Sequence, residues 1–275
     1  MNMKNLYILG LAIWLLGSCS SGSVSEPVLI DGSNGVRPLV EVLVAAYRQK
    51  HPGADIRVGA EGLGSKARLE ALEAGRIQIA MASHGLDEVE IMRRGMEIHH
   101  FASMAVVFGV HADVRIKGLK AEELCQIYMG KVSNWDFTDM YSLPIVPLMR
   151  PFDEVDTEIA LAAIPCLKEM ELKEPVQVRE SSGDLARTLA DTPGSIGLTN
   201  MIRISESKGK IQALSLNGVS PSPENIRSGK YPMFRNNYLV TLASTSESVR
   251  DFLAFVESPA GRAVIEANSA FVLKL

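Results

Sequence analysis

Small polar residues stand at the ends of predicted strands, and their types suit the binding of an anion. Ser33 and Asn34 follow the first predicted strand, Gly64 and Ser65 follow the second, and Ser83 follows the third. In a parallel sheet, the loops at the carboxyl ends of the strands meet at one edge, where such folds bind ligands. A serine or asparagine at a helix start either caps the helix or adds to an anion site made by the backbone N–H groups and the helix dipole. Capping alone is the simpler interpretation of any single loop, and the three loops together favour a site.

Apolar runs of strand length alternate with helical patterns along most of the chain. The first three strands are predicted at 28–30, 56–58 and 77–82, with helices between them that carry apolar stripes. Further strands are predicted at 104–110, 145–149, 176–178 and 194–198, and further helices at 121–129, 184–190, 246–257 and 259–267. This alternation predicts an α/β fold with a mainly parallel sheet.

The N-terminus predicts export from the cytoplasm. A lysine precedes an apolar stretch over 6–16, which has the pattern of a signal peptide and is shorter than the roughly 20 residues of a membrane-spanning helix. Small residues precede Cys19 as in a bacterial lipobox, so we expect a signal peptide over 1–18, lipidation of Cys19 and a tether over 19–27. The alternative is an ordinary signal peptide that happens to contain Cys19. In both cases the rest of the chain folds outside the cytoplasm.

The composition excludes several classes of function. A net charge of −4 lacks the basic balance of a nucleic-acid-binding protein, so we expect no nucleic-acid partner. No further apolar segment reaches spanning length, so the lipid alone is expected to hold the protein at the membrane. The chain has no recognisable set of metal ligands, no Gly-Lys-Ser/Thr phosphate loop and no Gly-x-Ser-x-Gly nucleophile motif. We therefore predict no cofactor and no metal, and the missing nucleophile motif disfavours an enzyme.

Two cysteines remain after Cys19, namely Cys125 and Cys166. In an oxidising compartment they could pair, but the sequence gives no distance between them. Cys125 lies on the apolar stripe of a predicted helix, which favours a buried, inert thiol.

Several longer segments share a pattern with a known family. They are Gly-Ser-Asn-Gly-Val-Arg-Pro-Leu at 32–39, the stretch from Gly64 to Ser83, Leu-Cys-Gln-Ile-Tyr-Met-Gly-Lys-Val-Ser-Asn-Trp at 124–135, Gly-Ser-Ile-Gly at 194–197, and the terminal helices over 252–265. Together they resemble the phosphate-specific substrate-binding proteins of ABC transporters, and 124–135 is the most specific match. The resemblance covers nearly all of residues 28–275.

This resemblance implies a two-lobed, Venus-flytrap α/β fold of the periplasmic-binding-protein type, with the ligand between the lobes. One lobe would comprise 28–104 and 211–275, and the other 105–210. The resemblance also implies a monomer that captures phosphate or a similar oxyanion, while the permease subunits of an ABC importer carry out the transport.

The resemblance further implies which residues bind the oxyanion. Ser33, Asn34, Ser65 and Ser83 occupy family ligand positions. Arg150 falls where the family has an arginine that clamps phosphate. An arginine suits this task because its fork offers two parallel charged donors to a tetrahedral oxyanion.

The loop after Arg150 departs from the family pattern. The family has a segment of the Gly-Ser-Gly-Thr type there, whereas this chain carries carboxylates: Asp153, Glu154, Asp156 and Glu158. A carboxylate only accepts hydrogen bonds, and it repels a unit of phosphate charge about 4 Å away by about 4 kcal/mol at an effective dielectric of about 20. These acids either point outward as first-turn helix residues, or one of them accepts the proton of a monoprotonated oxyanion.

Basic side chains near the predicted loops could offset these acids, or they could be solvated surface groups: Arg37, Lys66, Arg68 and His84. Two binding hypotheses therefore stay open. The first is a phosphate-binding protein of an ABC importer, and the second is a divergent relative that has lost phosphate and serves as a sensor or binds another ligand. An extracellular hydrolase is a third hypothesis, which the missing nucleophile motif disfavours.

Overall fold

The computed structural model describes residues 27–60, 62–138, 142–171 and 174–272. The predicted signal peptide over 1–18, the lipidation at Cys19 and the tether up to residue 26 lie outside these residues. Within the described ranges, no helix combines the length and the hydropathy needed to cross a membrane.

Strands and helices alternate as the sequence predicts. The strands are β1 (Val28–Gly32), β2 (Ile56–Val58), β3 (Ile79–Ser83), β4 (Met96–His111), β5 (Gly118–Leu119), β6 (Val146–Met149), β7 (Gln177–Val178), β8 (Ser195–Asn200), β9 (Ile211–Ala213), β10 (Ser215–Leu216) and β11 (Phe234–Leu242). The helices are α1 (Arg37–Lys50), α2 (Ser65–Glu73), α3 (Glu88–Arg93), α4 (Ala121–Tyr128), α5 (Val155–Ala163), α6 (Ser182–Asp191), α7 (Met201–Glu206), α8 (Pro223–Arg227), α9 (Glu247–Glu257) and α10 (Pro259–Ala267). Short 3₁₀ helices cover Trp135–Thr138 and Pro165–Glu169.

The main sheet has the strand order β2-β1-β3-β11-β4-β8-β6-β7, with β9 paired to β4. Its outer strands pair in parallel, β1 with β2 and β3, and β6 with β7 and β8. Its centre is antiparallel, because β11 runs opposite to β3 and β4, and β4 runs opposite to β8. The predicted α/β class is confirmed, and the antiparallel centre is the part that the sequence pattern did not indicate.

The long strand β4 joins the two halves of this sheet. Its first part pairs with β11, and its last residues pair with β8 and β9. All side chains over 101–110 are buried, as expected for a strand covered on both faces. His99 and His100 interrupt the apolar run, yet the strand continues through them because Thr241 and Ser103 provide their hydrogen-bond partners at 3.1 Å.

Separate apolar clusters lie on the two sides of this centre. One cluster includes Ile30 and Leu39, and another includes Val107 and Tyr231. The division of the chain into lobes at 105 and 211 stays a prediction. The packing of Leu214, Leu216 and Tyr231 in the second cluster favours a lobe boundary near residue 234.

Helix α1 illustrates how the apolar stripe fixes the position of a loop. Leu39, Leu43 and Tyr47 recur every four residues and are buried in the apolar cluster that contains Ile30 of β1. Pro38 lies in the first turn, where no backbone N–H is needed for the helix. The buried stripe therefore holds the start of α1, and the loop before it, at the end of β1.

Cys125 and Cys166 form a disulfide bond, so the predicted free thiol at Cys125 is wrong. Their Cα atoms are 6.0 Å apart, although 41 residues separate them in the chain. The sequence stripe correctly indicates that Cys125 is buried on α4. It cannot indicate the partner, because the pairing depends on how α4 packs against the 3₁₀ helix that contains Cys166.

Replacing both cysteines with serine should lower the free energy of unfolding by about 2–4 kcal/mol, because the bond restricts the unfolded chain. Urea titration followed by circular dichroism measures this change. The wild-type protein in dithiothreitol should show the same loss. Equal urea midpoints for the oxidised, reduced and doubly substituted proteins would contradict the prediction.

Candidate functional site

A cleft of about 410 Å³ lies at the carboxyl ends of β1, β3, β6 and β7. It is lined by Gly32–Gly35, Gly62–Gly64, Arg68, Ser83, His84, Arg150, Asp153–Asp156, Glu180–Ser182 and Arg235. The predicted loops thus meet at one place, as the parallel outer strands require. The loop after β7 joins them, although the sequence pattern indicated only a helix start there.

Several helices begin at this cleft, and most of their first turns are not capped by a side chain. The N-cap residues of α1, α2 and α5 form no side-chain capping hydrogen bond within the described part of the chain, whereas Ser181 accepts a hydrogen bond from the N–H of Asp184 in α6. Helical capping therefore does not account for Ser33 and Asn34 before α1. In α1 the N–H groups of Arg37 and Leu39 already donate to the carbonyl oxygens of Ser33 and Val36, and Pro38 has no N–H. The N–H groups in the first turns of α2 and α5, together with the helix dipoles, favour a bound anion.

Ser33 and Ser83 lie together in the cleft. Their hydroxyl oxygens are 3.5 Å apart, and the backbone N–H of Ser33 donates to the carbonyl oxygen of Met81 at 3.0 Å. This close approach requires Gly32, because its φ is +140° and a Cβ there would lie 2.2 Å from the Met81 oxygen. The predicted proximity of these two serines is therefore seen in the structure.

A buried carboxylate ties the first and second loops to each other. Asp31 accepts hydrogen bonds from the N–H groups of Gly32 at 2.7 Å and Gly62 at 3.2 Å. Asn34 lies against Gly62, where a Cβ would be 2.3 Å from its amide nitrogen. Ser65 begins α2 next to this loop, and its side chain is outside the described part of the structure.

Arg150 lines the cleft and is only 8% exposed. Its Nη2 donates to the carbonyl oxygen of Glu180 at 2.9 Å and lies 2.5 Å from Oε1 of Glu154. Its buried Nε has no hydrogen-bond partner among the residues that the structure describes. The arginine that is predicted to clamp phosphate thus lies at the cleft, where the carboxylate of Glu154 contacts it.

Arg235 on β11 also lines the cleft, although the sequence pattern did not indicate it as a site residue. Its Nη1 donates to Oδ1 of Asp156 at 2.8 Å, and its Nη2 donates to the carbonyl oxygen of Gly35 at 2.8 Å. Gly35 leaves room for it, since a Cβ there would lie 2.6 Å from Nη2. A charged residue within a strand-like run was the available signal, but β11 itself was not predicted.

The predicted acidic residues line the cleft rather than turning away from it. Asp156 is buried against Arg235, Glu154 contacts Arg150, and Asp153 is exposed. Glu180 is a further acidic residue of the lining, and its backbone oxygen accepts a hydrogen bond from Arg150. The expectation that the acids point outward fits Glu158, which is exposed and is absent from the cleft lining.

The basic side chains proposed to offset these acids have different surroundings. Arg68 lines the cleft, and burial lowers the pKa of its guanidinium, which still keeps its proton at neutral pH. His84 also lines the cleft and is exposed. Arg37 lies 3.8 Å from Asp31, and the exposed Lys66 lies 3.8 Å from Glu70. Arg68 is therefore the buried cation of this group at the cleft.

Comparison with known proteins identifies the family of this chain. The family model of the PBP superfamily domain matches residues 18–260. The chain belongs to the PBP superfamily. Phosphate-binding protein PstS of Bacillus subtilis (strain 168) is 28% identical over 242 residues, which cover 87% of this chain and 76% of that protein. Phosphate-binding protein PstS of Borreliella burgdorferi is 26% identical over 282 residues, which cover 99% of this chain and 100% of that protein.

A solved structure shows the same fold. A Clostridium perfringens protein crystallised with bound phosphate has a TM-score of 0.74 and 23% sequence identity, and the match covers 90% of this chain and 100% of that chain. The predicted two-lobed α/β fold and the predicted resemblance to phosphate-specific ABC-transporter substrate-binding proteins are confirmed.

Proposed function

We propose that this PBP-superfamily protein captures phosphate, or a similar oxyanion, in the cleft and presents it to the permease of an ABC importer. The observation that carries this proposal is the convergence of the first turns of α2 and α5 with the Ser33 and Ser83 hydroxyl groups and with Arg68 and Arg150 at one cleft. Backbone N–H groups at helix starts and guanidinium forks are strong donors to oxyanions. The relatives named phosphate-binding proteins support the same ligand.

We also propose that the protein is a monomeric extracytoplasmic lipoprotein, anchored through Cys19. The support is the apolar leader with small residues before this cysteine. The disulfide between Cys125 and Cys166 is consistent with an oxidising compartment.

Capture requires closure of the cleft and no bond chemistry, so the protein acts as a binding protein rather than an enzyme. The oxyanion enters between the Ser33–Ser83 side and the Arg150 side, and donors from both sides close on it. Selectivity comes from hydrogen-bond geometry, because a buried donor left without a partner costs about 1–3 kcal/mol.

Calorimetric titration of phosphate into the ligand-stripped full-length protein should give a micromolar or tighter dissociation constant. Sulfate, which has a similar shape, serves as the control and should bind more weakly. Circular dichroism on the same sample establishes that the protein is folded. An absence of heat at millimolar phosphate from folded protein would overturn phosphate as the ligand.

A second candidate function is that of a divergent relative that has lost phosphate and serves as a sensor or binds another ligand. The observation that favours it is the set of carboxylates along the cleft, from Asp153 to Asp156 and at Glu180. A folded protein that ignores phosphate in the titration but binds another oxyanion would support this candidate.

A further inference from the structure

Glu154 forms an ion pair with Arg150, the arginine that is proposed to bind the ligand. Its Oε1 lies 2.5 Å from Nη2 of Arg150, inside the cleft. The same nitrogen donates to the carbonyl oxygen of Glu180, so these two acceptors engage both of its hydrogens. An oxyanion that binds Nη2 must therefore compete with Glu154.

The position of Glu154 at the start of α5 supports this interpretation. It is the N-cap residue of the helix, yet its side chain makes no hydrogen bond to the first turn. The carboxylate is instead paired with the arginine, and the first turn stays uncapped at the cleft. Because the Glu154 side chain is 42% exposed, it can leave the arginine for water when a ligand arrives.

The other acids of the cleft are not placed to compete in this way. Asp156 is held by Arg235 at 2.8 Å. Asp153 is exposed and forms no ion pair with another described residue. Glu180 contacts Arg150 through its backbone oxygen, which stays neutral at every pH. Glu154 is therefore the carboxylate that shares a binding partner with the ligand.

We infer that Glu154 is an affinity-setting residue, an internal anion that pairs with Nη2 of Arg150 and competes with phosphate for this nitrogen. This inference rests on the proposed function and deepens it. With the Glu154 carboxylate present, the protein should reach half-saturation at a higher phosphate concentration than the donors of the cleft alone would give. Since solvent screens a partly exposed carboxylate, we expect an effect of about ten- to a hundredfold on the dissociation constant.

Glu154→Gln tests the inference, because it removes the charge and keeps the shape. Calorimetric titration of the full-length protein with inorganic phosphate should give a dissociation constant about ten- to a hundredfold lower than in wild type. Glu158→Gln is the matched control, since Glu158 lies one turn further along α5 and is exposed outside the cleft lining. It should change the constant less than twofold. Asp153→Asn should give a smaller gain than Glu154→Gln, because Asp153 does not contact the arginine.

The outcomes separate this inference from the proposed function. If wild type binds phosphate and Glu154→Gln binds it equally or more weakly, the inference is overturned and the function stands. If wild type ignores phosphate and Glu154→Gln binds it, the inference stands and phosphate capture by the natural chain fails. If neither folded protein binds phosphate or sulfate, both are overturned. Equal gains from Glu154→Gln and Glu158→Gln would show a general charge effect and would also overturn the inference.

Discussion

Asp156→Ala should lower the free energy of unfolding by about 3–5 kcal/mol, because it leaves the buried guanidinium of Arg235 without its counterion. Both side chains are almost fully buried, with exposures of 4% for Arg235 and 8% for Asp156. Removing one partner of such a pair leaves a charge that neither water nor another acid compensates. Urea titration of the variant and wild type measures the loss.

Asp191→Ala provides the control for an ordinary surface pair. Asp191 lies 3.5 Å from Lys210, and both side chains are well exposed, so its loss should cost less than about 1 kcal/mol. The loss of unfolding free energy for Asp156→Asn should lie between the losses for Asp156→Ala and Asp191→Ala, since asparagine keeps an acceptor oxygen and loses the charge. If Asp156→Ala and Asp191→Ala change the unfolding free energy equally, the buried pair does not stabilise the fold as argued.

The same pair connects two walls of the cleft. Asp156 belongs to the first turn of α5, and Arg235 also donates to the carbonyl oxygen of Gly35 before α1. The guanidinium therefore links the first turn of α5 to the loop before α1, and both line the cleft. For this reason we expect Asp156→Ala to weaken phosphate binding even at temperatures where the variant is fully folded.

The sequence predicted the parts of the site that depend on local pattern. Ser33 and Ser83 each follow a recognisable strand, and the ends of parallel strands meet at one edge of the sheet. The alternation of apolar runs and helical stripes is enough to place such residues near each other. Arg150 was assigned to the site only through the family resemblance, because the local pattern alone favours a surface arginine after a strand. The strand β11 was missed, and so was the antiparallel centre of the sheet that it forms with β4.

The pairings within the cleft could not be predicted, because they join residues far apart in the chain. Arg235 is 79 residues from Asp156 and 200 residues from Gly35. From the sequence alone, the acids after Arg150 are expected to repel an anion. In the structure, arginines partly neutralise two of them, Glu154 and Asp156. The disulfide between Cys125 and Cys166 could not be predicted for the same reason, since it depends on how the chain packs rather than on the spacing of the cysteines in the sequence.

Arg150→Ala should raise the dissociation constant for phosphate about a thousandfold, which corresponds to about 4 kcal/mol. The substitution removes a buried charged donor and leaves the Glu154 carboxylate in the cleft without its partner. Both changes disfavour an anion, so their effects add in the same direction. Calorimetric titration with inorganic phosphate measures the change, and the urea midpoint shows whether the variant remains folded.

Two further substitutions show whether this loss comes from the guanidinium fork. Arg150→Lys keeps the positive charge but offers a single ammonium group, so it should recover part of the affinity and still bind at least tenfold more weakly than wild type. Arg187→Ala removes an exposed arginine of α6 that pairs with Asp184 at 3.3 Å, and it should change the dissociation constant less than twofold. If Arg150→Ala binds phosphate within threefold of wild type, Arg150 is not the clamp, and the buried Arg68 becomes the cation to test next.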